Sequence, residues 1–156
     1  MKLNETMLAI VIAVVVALTL CANFVMAGPT AEMVKEVIDY YYTGQEEGPI
    51  LTDVKLCSAI ADKECDGTID PNAVPMGEPV KVWMRFMVPK GSAYDDILVE
   101  YSYESTPWRV LPHKIEGAIR YRLVDTYAMQ KPGNWTINIK RGAETLKSLN
   151  VNVQSQ

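Results

Sequence analysis

From residue 49 to the C-terminus, apolar and polar residues alternate, the period of a half-buried β-strand. In "PVKVWMRFMV" (79–88), Val80, Val82, Met84, Phe86 and Val88 share one face, and Lys81, Trp83, Arg85 and Met87 the other. The same alternation predicts strands at 49–57, 95–104, 108–115, 117–125, 133–141 and 144–153. Pro132-Gly133 and Arg141-Gly142 supply turn chemistry between the last of them. Strands this short and this closely spaced predict an all-β fold, an immunoglobulin-like antiparallel β-sandwich of about seven strands over residues 50–156.

The period changes upstream. "GPTAEMVKEVIDYYYTG" (28–44) places Val34, Val37, Ile38 and Tyr41 on one helical stripe. Thr30 is the expected N-cap, Glu32 suits the first turn, and Gly44 suits the C-terminal cap. This short amphipathic helix is expected to pack on the sandwich or to continue a membrane anchor. The alternative is that its tyrosines contact a partner or a membrane surface. "TGQEEGP" (43–49) reads as a linker.

Residues 7–27, "MLAIVIAVVVALTLCANFVMA", are a nearly unbroken apolar run behind Lys2, predicting an N-terminal apolar helix. Val25-Met26-Ala27 suits signal-peptide cleavage, while the length of the run also suits a retained anchor. Both readings leave three segments: 1–27 as signal peptide or anchor, 28–49 as helix and linker, and 50–156 as the β-domain. Both place the domain outside the cytoplasm, periplasmic or extracellular, and anchored at the inner membrane if the run is kept.

Charge and chemistry narrow the function. The net charge is −4, with Lys and Arg scattered along the chain, which argues against a nucleic-acid partner. No nucleophile elbow, phosphate loop or dinucleotide fingerprint occurs. Asp95 and Asp96 are adjacent and would face opposite ways on a strand, so no enzyme is expected. His113 is the single histidine, too few for an ordinary zinc site, and Met84 and Met87 fall on opposite strand faces, unsuited to copper. Cys21 lies in the apolar run, which leaves Cys57 and Cys65 as an even pair, expected to bridge in an oxidising compartment.

"DKECDGTID" (62–70) is the one stretch with site-like spacing. Asp62, Glu64, Asp66 and Asp70, with the carbonyl of Thr68, match the ligand positions of a calcium loop, and Gly67 permits its bend. Ala73 stands where the closing bidentate Glu would be, and no apolar helices flank the loop. The competing reading is a solvated acidic hairpin closed by the Cys57–Cys65 bridge. No cofactor is expected, with calcium the one ion the loop could take. Trp83, Tyr101, Tyr103 and Trp108 would form a sugar-stacking surface if exposed together, whereas Trp135 is expected in the core.

The order of landmarks resembles small exported bacterial domains of the family known as domain of unknown function 2914. The carrying residues are Cys57, Pro75 and Gly77, the strand from Val82 to Phe86, Gly117 to Arg122, "PGNWTINI" (132–139) and "GAETL" (142–146). Tyr101 and Tyr103 stand where that family is associated with a histidine and tryptophan pair. The resemblance implies the fold and no activity. Cys65, Asp66, Gly67 and Asp70 are similar to the Asp-x-Asp-Cys-Asp-Gly-x-x-Asp metal-binding motif of bacterial surface proteins. Two functions follow as expectations. One is a non-enzymatic exported accessory domain that binds an unidentified protein of an envelope or extracellular assembly through its strand edges or the 28–44 helix. The other is a calcium-dependent module that binds carbohydrate or a surface polymer through the 62–70 loop.

Overall fold

The structure, a computed structural model, describes residues 28–155. The apolar run at 7–27 lies outside the described residues. The described residues divide between two units, residues 28–35 in one and residues 36–155 in the other. Among the described residues no helix is long and apolar enough to cross a membrane.

Helix α1 (Ala31–Thr43) starts and stops where its caps predict. Met33 N–H donates to Thr30 Oγ1 at 3.2 Å, and Gly44 N–H donates to the Tyr40 carbonyl at 2.8 Å. Of its expected apolar stripe, Val37 and Tyr41 are half-buried among the described residues. No residue of α1 is buried, and Met33, Val34, Ile38 and Tyr42 are exposed. Within the larger unit, the last turn is held by tyrosines instead. The Tyr40 hydroxyl donates to the Gly48 carbonyl, and Lys90 Nζ sits 4.8 Å from the Tyr42 ring centroid.

Seven strands follow: β1 (Ile50–Ala61), β2 (Glu64–Thr68), β3 (Val74–Pro75), β4 (Pro79–Tyr103), β5 (Thr106–Ala128), β6 (Gly133–Arg141) and β7 (Glu144–Gln154). The expected strands at 79–88 and 95–104 are one strand, β4, and those at 108–115 and 117–125 are one strand, β5. β4 and β5 pair along their whole length, with register shifts between residues 86 and 97 of β4. Before these shifts β4 pairs with β1, and after them with β6. The sheet therefore curls at the shifts into two facing layers. One layer runs β2-β1-β4-β5, and the other runs β5-β4-β6-β7-β3. β3 joins β7 in parallel, so the sheet is mixed rather than wholly antiparallel.

Alternation then fills the interior. Val80, Val82, Met84, Phe86 and Val88 of one layer meet Ile97, Val99, Trp135, Ile137, Ile139 and Val151 of the other in one buried cluster. Where β4 and β5 cross between the layers their backbones come close. A Cβ on Gly117 would lie 2.9 Å from the Pro89 carbonyl oxygen and 3.0 Å from the Gly91 nitrogen. Backbone atoms cannot swing aside as a side chain can. Gly117→Ala is expected to cost about 1–3 kcal/mol in urea unfolding, as overpacked sites do, and a midpoint equal to the parent's would contradict this close approach.

Candidate interaction surface at the arched hairpin and the β5 edge

The acidic stretch is a β-hairpin. Asp62 and Lys63 form its two-residue turn, both left-handed with φ of 50° and 65°, between the paired Ala61 and Glu64. Paired left-handed residues match the twist of the flanking strands. Beyond Cys57, β1 leaves β4 and pairs with β2 alone. The tip then arches over the outer face of β4 and β5. Trp83 Nε1–H donates to the Lys63 carbonyl at 2.8 Å, and Arg122 Nε–H donates to Glu64 Oε1 at 2.6 Å. Trp83, on the outward side of β4, is fully buried under this cover, with Lys55 Nζ 5.3 Å from its ring centroid.

Cys57 and Cys65 are bridged, with their Cα atoms 5.6 Å apart, as their even count predicts. The bridge ties the arched part of the hairpin to its base. Replacing both cysteines by alanine is expected to lower stability by about 2–3 kcal/mol, the chain-entropy value for so short a loop. Dithiothreitol should reproduce the loss in the parent and leave the double variant unchanged.

The five loop residues expected around one point are spread along this hairpin and the turn that follows it. Asp62 is at the turn, and Glu64 is engaged by Arg122 and Arg120. Asp66 is exposed opposite Ala59, and Thr68 pairs with Cys57. Asp70 Oδ1 accepts from the Asn72 backbone N–H at 2.9 Å, closing its own local turn. Alternate residues of an extended strand stand about 7 Å apart, further than two oxygens on one calcium ion. Among the described residues no three His, Cys, Asp or Glu side chains gather.

The four aromatic residues also divide. Trp83 and Tyr101 are buried, Tyr103 is half-buried, and Trp108 is 48% exposed. Tyr103 and Trp108 pack edge-on at 6.4 Å, with Lys131 Nζ 5.2 Å and 4.4 Å from their ring centroids. Trp135 lies in the core, as expected, and supports both rings from within.

Two features were not expected from the sequence. The first is a buried polar contact between the layers. The Tyr101 hydroxyl donates to Asp125 Oδ2 at 2.6 Å, and His113 Nε2 lies 3.7 Å from Asp125 Oδ1. Burial, and then the Asp125 carboxylate, push the Tyr101 hydroxyl far above the ordinary tyrosine range. The second is a groove of about 550 Å³ between the hairpin and the outer face of β5. Ile60 and Lys63 line one side, and Ala118, Arg120, Tyr121, Arg122 and Val124 the other. Cations that look scattered in the sequence are gathered here. Their signal is the alternation of Arg120 and Arg122, which puts both on one strand face.

No protein-family model matches the chain, and a search of curated proteins finds no match. Among solved structures, an immunoglobulin-like protein of Pseudomonas aeruginosa overlays 68% of this chain and 96% of its own, at TM-score 0.49 and 12% identity. The CARDB domain of a Pyrococcus furiosus protein overlays 68% and 95%, at TM-score 0.39 and 13% identity. The alkylpurine DNA glycosylase AlkC of Pseudomonas fluorescens, bound to DNA containing an abasic site analogue, overlays 69% of this chain and 30% of its own, at TM-score 0.45 and 10% identity. With scores of this size, the assignment of an all-β, two-layered fold rests on the chain's own strand pairing.

Proposed function

We propose that this protein is a non-enzymatic exported interaction domain, an accessory or binding subunit of an envelope or extracellular assembly. Its contact is an extended segment of a protein partner that adds to β5 over residues 117–128. The observation that carries this reading is the free edge of β5. Among the described residues β5 pairs only with β4, which leaves its other side with unpaired backbone groups. Such an edge is a template for an added strand. Pro107 and Pro112 each remove a backbone donor from the first half of β5, and no proline interrupts residues 113–128. Ile119, 43% exposed, offers apolar surface at the open half.

Export is supported by the apolar run at 7–27 and by the Cys57–Cys65 bridge, a bond that persists in oxidising compartments. The test is site-specific photo-crosslinking in the native host from position 119, with Lys147 on β7 as control. Crosslinks from 119 should map to one extended segment of one partner. Equal crosslinking from Lys147, or products spread over unrelated proteins, would discard the reading.

A further inference from the structure

The chemistry of the β5 edge indicates what kind of strand it takes. We propose that residues 117–128 of β5 receive a partner strand with acidic residues at alternate positions, whose carboxylates dock on Arg120, Arg122 and Lys63. This deepens the edge-pairing reading above and rests on it.

Arg120 and Arg122 both turn to the outer face, where both reach Glu64, at 3.7 Å and 2.6 Å. Residues two apart on a strand face neighbours two apart on the strand beside it. A strand added to β5 therefore places positions j and j+2 on the outer face opposite these guanidiniums. Position j+1 falls on the inner face beside Tyr121 and suits a β-branched residue. The hairpin overhangs the same face with Lys63, and the groove between them has room for side chains rising from an added strand. The lining carries three cations, and the hairpin tip brings Asp62 and Glu64, so the local balance is positive in a chain of net charge −4. Glu64 is itself an example of the group the site accepts, a carboxylate held between two guanidiniums. Arg120 is the looser of the two, with its side chain 58% exposed, and is free to turn toward an incoming acid.

The same charges oppose the commonest wrong partner. Two β5 strands paired antiparallel about Tyr121 would set Arg120 against Arg122, and like charges directly opposite are destabilising. The edge is thus biased against a second copy of itself and toward an acidic strand.

The probe is a synthetic peptide, Thr-Val-Glu-Val-Glu-Val-Thr, compared with versions carrying Gln or Lys in place of both Glu. Binding to the full chain in detergent micelles is read by fluorescence anisotropy, and hydrogen exchange locates the protected amides. At low salt the Glu peptide should bind about tenfold more tightly than the Gln peptide, as two or three cross-strand ion pairs allow. The advantage should shrink as salt screens the exposed charges. Protection should fall within residues 117–128. Lys63→Glu with Arg120→Glu should invert the preference in favour of the Lys peptide, and both sites are exposed enough to change without unfolding the domain. Equal binding of Glu and Gln peptides, with residues 117–128 still protected, overturns the acidic assignment and keeps the edge reading. Absence of protection with every peptide overturns both. Polygalacturonate binding as tightly as the Glu peptide would mean that charge alone is read, which overturns strand pairing.

Discussion

Trp83→Ala should be among the most destabilising single changes, at about 3–5 kcal/mol, the range for removing a large buried aromatic. Trp83 lies on the outward face of β4, where alternation assigns solvent, yet its side chain is wholly enclosed. The enclosure comes from the hairpin. Removing the ring takes away both the floor under the tip and the Nε1–H bond to the Lys63 carbonyl. Amides of residues 58–66 should then exchange faster than those of the inner core at Val82 and Phe86. Trp83→Phe keeps part of the ring volume and loses the donor, so its effect should be smaller and should fall on the hairpin. Urea titration of the oxidised protein measures the first effect and hydrogen exchange the second. A loss below about 0.5 kcal/mol, the ordinary range of exposed sites, would mean that the hairpin does not cover Trp83 in solution. Peptide binding should weaken in the alanine variant as well, because Lys63 would no longer be held over the groove.

The second large effect is expected at the tie between the layers. Asp125→Ala should cost about 2–4 kcal/mol, since it removes a hydrogen bond to a charged acceptor and leaves the buried Tyr101 hydroxyl without its partner. Tyr101→Phe should cost less, because it removes the donor and keeps the ring that packs against Tyr127 at 4.7 Å. The alkaline limb separates this pair from ordinary packing. The Tyr101 hydroxyl titrates higher in the folded chain than in the unfolded one, where it ionises near 10. Its contribution is therefore complete below about pH 10 and declines as pH rises above that, by up to about 1.4 kcal/mol per pH unit. Stability measured from pH 9 to 11.5 should fall less steeply in Tyr101→Phe than in the parent. Identical slopes would show that the hydroxyl ionises in the folded protein as easily as in the unfolded chain.

Both predictions concern positions where the alternation gives the side of the strand and not what lies on that side. Tyr121, Leu123 and Asp125 share a face by period two, so an acid on an inward face was open to notice at Asp125. Which group it would meet was not, because Tyr101 comes from the other layer. The hairpin turn was concealed for a local reason. Turns that need left-handed residues are recognised by glycine or asparagine, and here Asp62 and Lys63 take that conformation, as do Glu104 and Ser105 between β4 and β5. Asp66-Gly67, which looked like the bend of a metal loop, lies within β2, where Gly67 is left-handed with φ of 71°.

By itself the sequence determined the β-content, the inward face of residues 79–88, the Cys57–Cys65 pairing and both caps of α1. These depend on near neighbours, residue parity and an even count. The tertiary structure alone decided that four expected strands are two, that β2 and β3 exist, and that the hairpin folds over Trp83. It also decided that Arg120, Arg122 and Lys63 share one groove. Each of these depends on contacts between residues far apart in the chain, and a period of two is the same whether a strand continues through a bend or stops at it.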